Sequence, residues 1–167
     1  MAFEQRLRAS HSPEQIVQGY RAIGRFITSV SDLDAAASVL LGSLVQMHGE
    51  GHDLVLHSID FNRKREIIKS LALVAPKGAL MVEILGLTDR ADKLMSTRNA
   101  VAHGLLHTQG GKLIIGGLSL PAIAKYAHGK APLMEVSALD GLAQTADAIS
   151  ERMMEIALAL RPPPPKT

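Results

Sequence analysis

No cysteine occurs among the 167 residues. That removes disulfides, thiol nucleophiles and thiolate metal sites together. Tryptophan is missing as well, and three phenylalanines and two tyrosines bring the aromatic share to only 3%. A surface that stacks successive bases of single-stranded RNA needs more rings than that. Charge of one sign is also scarce: 18 Lys and Arg against 16 Asp and Glu leave a net charge of +2. A dedicated duplex-binding protein carries clustered basic residues instead. The one basic run, Arg63-Lys64-Arg65, reads as a solvated helix face. No uninterrupted apolar run reaches the roughly 20 residues of a membrane span. Met1 to Ser10 is polar and basic, without the apolar centre of a secretory signal. Together these absences predict a soluble, cytoplasmic chain with no membrane partner.

What is present is a globular composition, 47% hydrophobic and 20% charged. The length suits one domain with a sizeable core. Residues 1–167 therefore read as a single helical domain, with a polar N-terminal arm (1–11) and a proline-rich C-terminal tail (161–167). Ser12-Pro13-Glu14-Gln15 is a helix start with a capping box. Apolar residues then recur four and three apart: Ile16, Tyr20, Ile23, Ile27, Val30, Ala37, Leu41 and Leu44. This is one stripe of a long helix. The series passes through position 34, which is Asp34. Either the helix is continuous and Asp34 enters the core, where it needs a partner, or it restarts at Ser31 and Asp34 completes a capping box. No Gly or Pro forces a break between 31 and 34.

Further along, His48-Gly49-Glu50-Gly51-His52-Asp53 reads as a polar turn, and its spacing matches no zinc signature. A second helix is expected from a cap at Asp60 to Val74, with Ile67, Ile68, Leu71 and Val74 inward. A third carries Leu80, Ile84, Leu87, Ala91, Leu94, Arg98 and Val101 on one stripe, with Gly86 and Thr88-Asp89 able to kink it. Residues 105–116 read as a small hairpin around Gly110-Gly111. A short helix follows over 119–128. Ser137-Ala138-Leu139-Asp140 is another capping box, opening a last helix with Leu139, Leu142, Ala146, Ile149, Met153, Ile156 and Leu160 inward. The expected fold is all-α: an up-and-down bundle of four to five helices, two of them long, with a small β-hairpin insertion.

Two charged side chains fall on apolar stripes, Asp34 and Arg98. A buried carboxylate and a guanidinium are most cheaply accommodated as a pair, and a salt bridge without further role is one outcome. Asn99 and His103, four apart, share a helix face. Gly104 directly after reads as a left-handed helix stop, which places His103 in a last turn where the helix dipole favours a cation.

Arg98-Asn99-Ala100-Val101-Ala102-His103 resembles the Arg-x4–6-His signature of the HEPN superfamily, in which a polar residue directly follows the arginine. The position of the motif at the end of a third bundle helix, with another long helix to come, is similar to the family layout. The resemblance implies an endoribonuclease that needs no metal or other cofactor, with RNA as substrate. It also implies a homodimer whose two motifs meet in one composite cleft. On this chain His103 would be general base or acid, Arg98 would stabilise charge on the phosphorus oxygens, and Asn99 would orient the phosphate or the histidine. Asp34 would be a supporting residue, holding Arg98. Toxin or antiviral-defence roles, with a cognate antitoxin or a nucleotidyltransferase as partner, go with that resemblance. The alternative is a non-catalytic HEPN-like module for interaction or nucleotide binding.

Overall fold

Ser12 and Gln15 start the first helix as the capping box requires. The Ser12 amide donates to Gln15 Oε1 at 2.9 Å, and the Gln15 amide donates to Ser12 Oγ at 3.3 Å. In the computed structural model, which describes residues 11–46, 55–74, 78–116 and 133–160, this helix (α1) runs unbroken over Pro13–Leu44. It is followed by α2 (Phe61–Val74), α3 (Ala79–Ala102), β1 (Leu105–Gln109), β2 (Lys112–Gly116), β3 (Leu133–Glu135), a single 3-10 turn (Val136–Ala138) and α4 (Leu139–Leu160). The chain is thus mostly helical with a small antiparallel sheet. The polar turn at 48–53, the short helix expected over 119–128, the N-terminal arm and the C-terminal tail lie outside the described residues. α1 has the length and mean hydropathy of a membrane-crossing helix, and 56% of its apolar window is buried inside the protein.

The chain divides into two compact units, Met1–Ser29 with Ser96–Gln144, and Val30–Met95 with Thr145–Thr167. In the first, β1 and β2 form a hairpin with Gln109 opposite Lys112, so the loop is the two residues Gly110-Gly111. Both take positive φ, 59° and 77°, as a tight turn that matches strand twist demands. β3 then pairs with β2, Gly116 opposite Leu133; this third strand was not expected. α1 lies on the sheet through Gly19, where an added Cβ would collide with the Leu113 side chain and sit 3.7 Å from Val136. Phe26 is fully buried and Tyr20 is 56% exposed. The inner stripe of this half of α1 therefore passes through Gly19 and Phe26, rather than through Tyr20 as the periodicity suggested. The capping box expected at Ser137–Asp140 is not formed. The Ser137 hydroxyl donates to Glu135 Oε2, and Asp140 pairs with Arg25 at 3.5 Å.

In the second unit the core is Leu33, Ala36, Ala37, Leu40 and Leu41 of α1, Ile68 of α2, Ile84, Leu87, Ala91 and Leu94 of α3, and Ala146, Ile149, Met153, Ile156 and Ala157 of α4. Burying each larger apolar side chain contributes about 1.5–3 kcal/mol. Asp60 caps α2, accepting from the Arg63 amide at 3.0 Å. Arg65 pairs with Asp92, and Lys69 with Asp89 at 3.0 Å. Four residues forward on α2 is three back on α3, so the two helices are antiparallel neighbours. α3 does not kink. Thr88 is buried and donates to Ile84 O at 2.7 Å without breaking the helix.

Two readings of α2 are corrected. Val74 is 82% exposed, and the inward positions are Phe61, Lys64 and Ile68. Lys64, read as part of a solvated basic run, is fully buried. Its position three before Ile67 and four before Ile68 puts it on the apolar stripe, where the long alkyl stem packs and only the ammonium needs a partner.

Candidate functional site

Arg98 and Asn99 belong to the last turn of α3 and His103 directly follows it, in the first unit. Val101 anchors that segment at 3% exposure, which leaves Arg98, three residues before it, at the edge of the buried face and turns Asn99 and His103 outward. Asn99 and His103 are exposed and Arg98 is half-buried. The helix continues by one further bond past Ala102: the His103 amide donates to Asn99 O at 3.2 Å, and the Gly104 amide then closes a tighter turn onto Val101 O at 3.2 Å.

Gly104 follows, but not as a left-handed cap. The positive-φ glycines among the described residues are Gly110, Gly111 and Gly116. What Gly104 supplies is room: an added Cβ would lie 2.9 Å from Ala100 O, 3.0 Å from Gly116 N and 3.1 Å from Gly116 Cα. The chain leaves α3 and enters β1 against the backbone of β2, and any side chain there would push the strand away from the helix end. Gly104 thereby fixes where His103 sits relative to the sheet.

On a helix Arg98 and His103 diverge by about 140°. The structure shows how the arginine crosses that gap. Arg98 Nη1 donates to Asn99 Oδ1 at 3.2 Å, drawing the guanidinium round toward the face that Asn99 and His103 share. Its other N–H groups make no bond to any described residue. The His103 ring likewise makes no hydrogen bond to a described residue. A cationic fork, an amide and a free imidazole on one side of a helix end can bind a phosphodiester and exchange a proton with it.

Asp34, expected to hold Arg98, has a partner within its own unit. Its Oδ1 accepts from Lys64 Nζ at 2.6 Å, and its backbone O lies 3.5 Å from the same ammonium and accepts from Ser38 Oγ at 3.1 Å. α1 is continuous through Asp34, as the first reading held, but Leu33 is the fully buried residue there while the Asp34 side chain is 37% exposed. The carboxylate sits on the shoulder of the stripe and reaches down to a buried ammonium. Sequence reasoning missed Lys64, although its place in the stripe of α2 was visible.

His107, on β1, places Nδ1 3.1 Å from Leu105 O, so that nitrogen donates to its own strand. Among the described residues no group of three His, Asp or Glu side chains could hold a metal ion; His48, Glu50, His52 and Asp53 are not described. The chain matches no protein-family model, no curated protein and no solved structure. The class that fold and site define is therefore a mostly helical protein with an Arg-Asn-His cluster at a helix terminus.

Proposed function

We propose that the chain is a metal-independent endoribonuclease of the HEPN type that acts as a homodimer. The observation that carries the reading is the state of the cluster. The Arg98 guanidinium is drawn by Asn99 toward the face of His103, and beyond that bond neither it nor the imidazole has a partner among the described residues.

The chemistry needs no more than these groups and the substrate's own nucleophile. The RNA 2′-oxygen attacks the adjacent phosphorus, and its proton passes to a neutral His103. A new O2′–P bond forms as the P–O5′ bond breaks. The departing O5′ takes a proton from a second, protonated imidazole, His103 of the other copy. Arg98 holds the non-bridging oxygens as negative charge builds on them. Asn99 keeps the guanidinium aimed. The products are a 2′,3′-cyclic phosphate and a 5′-hydroxyl, and DNA, which lacks the nucleophile, is not cut. A cognate antitoxin or a nucleotidyltransferase is the partner this reading anticipates.

Product chemistry tests the reaction. Matched RNA and DNA oligonucleotides are incubated with the protein and the new ends are identified by mass. Cyclic phosphate and 5′-hydroxyl ends from RNA, with DNA intact, are expected. Ends bearing a 5′-phosphate, or equal cutting of DNA, contradict it. No cleavage at all favours the non-catalytic alternative.

A further inference from the structure

A second site, independent of the first, lies in the other unit. Between α3 and α4 is a groove of about 330 Å³ lined by Glu83, Gly86, Leu87, Arg90, Ala148, Ile149 and Arg152. That volume is at the small end of ligand pockets, which run from roughly 300 to 1,000 Å³.

The floor is apolar. Leu87 and Ile149 are core residues at 7% and 1% exposure. Gly86 and Ala148 stand over them, and an added Cβ at Gly86 would meet nothing within 4 Å. The space exists because two small residues face each other where larger ones would fill it. No turn or close backbone approach requires a glycine at 86, in the interior of α3, and helix propensity argues against one there.

The two ends of the groove differ in charge. At one end Arg152 Nε donates to Glu83 Oε1 at 2.6 Å and Nη2 donates to Glu83 Oε2 at 3.1 Å, while Nη1 donates to Glu155 Oε2 at 2.8 Å. All three nitrogens of that guanidinium are committed to two carboxylates, so this end of the bay is occupied by a cluster of net charge −1. At the other end, seven residues or about 10 Å along α3, stands Arg90. Among the described residues it has no hydrogen-bond or ion-pair partner. A net-negative end occupied by Arg152 and its two glutamates, an apolar floor and a cationic end at Arg90 describe a receptor that orients a small organic anion, its charge toward Arg90 and its flat or short apolar body over the floor.

We infer that this groove binds a small monocarboxylate, its apolar body on Leu87 and Ile149 and its carboxylate in the fork of Arg90. The occupied end and the length of the bay argue against an extended chain such as a peptide.

The probe is 2-naphthoate, titrated by calorimetry against the full-length protein, with neutral 2-naphthalenemethanol as control. The expected result is saturable binding with a Kd of about 1 mM or tighter. It should weaken about tenfold or more in Arg90→Gln, and by a similar factor for the neutral control, as loss of a charge-assisted contact implies. Gly86→Leu, placed to fill the bay, should abolish binding while thermal unfolding confirms that it folds. Arg90→Gln changes an exposed side chain and keeps the test decisive if Gly86→Leu does not fold. Absence of saturable binding to the wild-type protein overturns the inference. So does equal binding by wild type and Arg90→Gln. RNA cleavage by Arg90→Gln should equal that of wild type, so failure here leaves the nuclease reading standing and the reverse also holds.

Discussion

Glycines 19 and 24 lie on the same helix, one and a half turns apart, and should respond oppositely to the same change. At Gly24 a Cβ meets nothing within 4 Å, whereas at Gly19 it meets Leu113. Gly24→Ala should therefore stabilise the fold by up to about 1 kcal/mol from helix propensity alone. Gly19→Ala should destabilise it by about 1–3 kcal/mol through overpacking. Denaturant unfolding of the two variants reads both signs. A second residue-level test concerns Lys64. Removing its partner in Asp34→Ala leaves a buried ammonium uncompensated and should cost about 3–5 kcal/mol. Lys64→Met, which removes the charge and keeps the stem, should cost distinctly less. Equal losses would mean that the pair acts through packing alone. These residues also mark what the sequence could and could not disclose. Lys64 stood on the stripe of α2 and could have been read from its spacing. Gly19 could not, because its reason is the side chain of Leu113, 94 positions away on a strand.

Helices were legible where local chemistry sets their ends: Ser12 with Gln15 for α1, and Asp60 for α2. The hairpin was legible because two glycines in sequence permit few other turns. Which face of a helix turns inward was less legible, since α1 offers both Tyr20 and Phe26 and only the position of the sheet chooses between them. β3 left no signal, because three residues carry too little periodicity. Ser137 and Asp140 matched a cap and found other partners, a reminder that a local motif competes with charges brought in by the fold. Between α3 and α4, the Arg152 guanidinium holds Glu83 below the usual carboxylate range, chiefly through its hydrogen bond. A lowered folded value means the tie adds stability above the ordinary carboxylate pKa and loses it as pH falls through the lowered one. Glu83→Gln should therefore unfold earlier than wild type at neutral pH, and the two unfolding midpoints should converge as pH falls through the lowered value. A gap that persists in acid would show that the glutamate acts by shape and not by charge.

Across the whole molecule, the fold class was foreseen: mostly helical with a small antiparallel β insertion. Arg98, Asn99 and His103 were singled out from spacing and resemblance, and the structure adds the Arg98–Asn99 bond that brings the arginine round the helix. Asp34, expected to hold Arg98, pairs with the buried Lys64. Gly104 shapes the site by the space it leaves for β2. The account as a whole stands on the free imidazole and guanidinium at the end of α3. The most direct measurement is the single-turnover rate of RNA cleavage in excess EDTA by wild type, Arg98→Ala and His103→Ala, with matched unfolding curves. Cleavage by wild type that survives the chelator and falls about 100-fold or more in each variant is predicted. Cleavage lost to EDTA, or undiminished in His103→Ala, would contradict it.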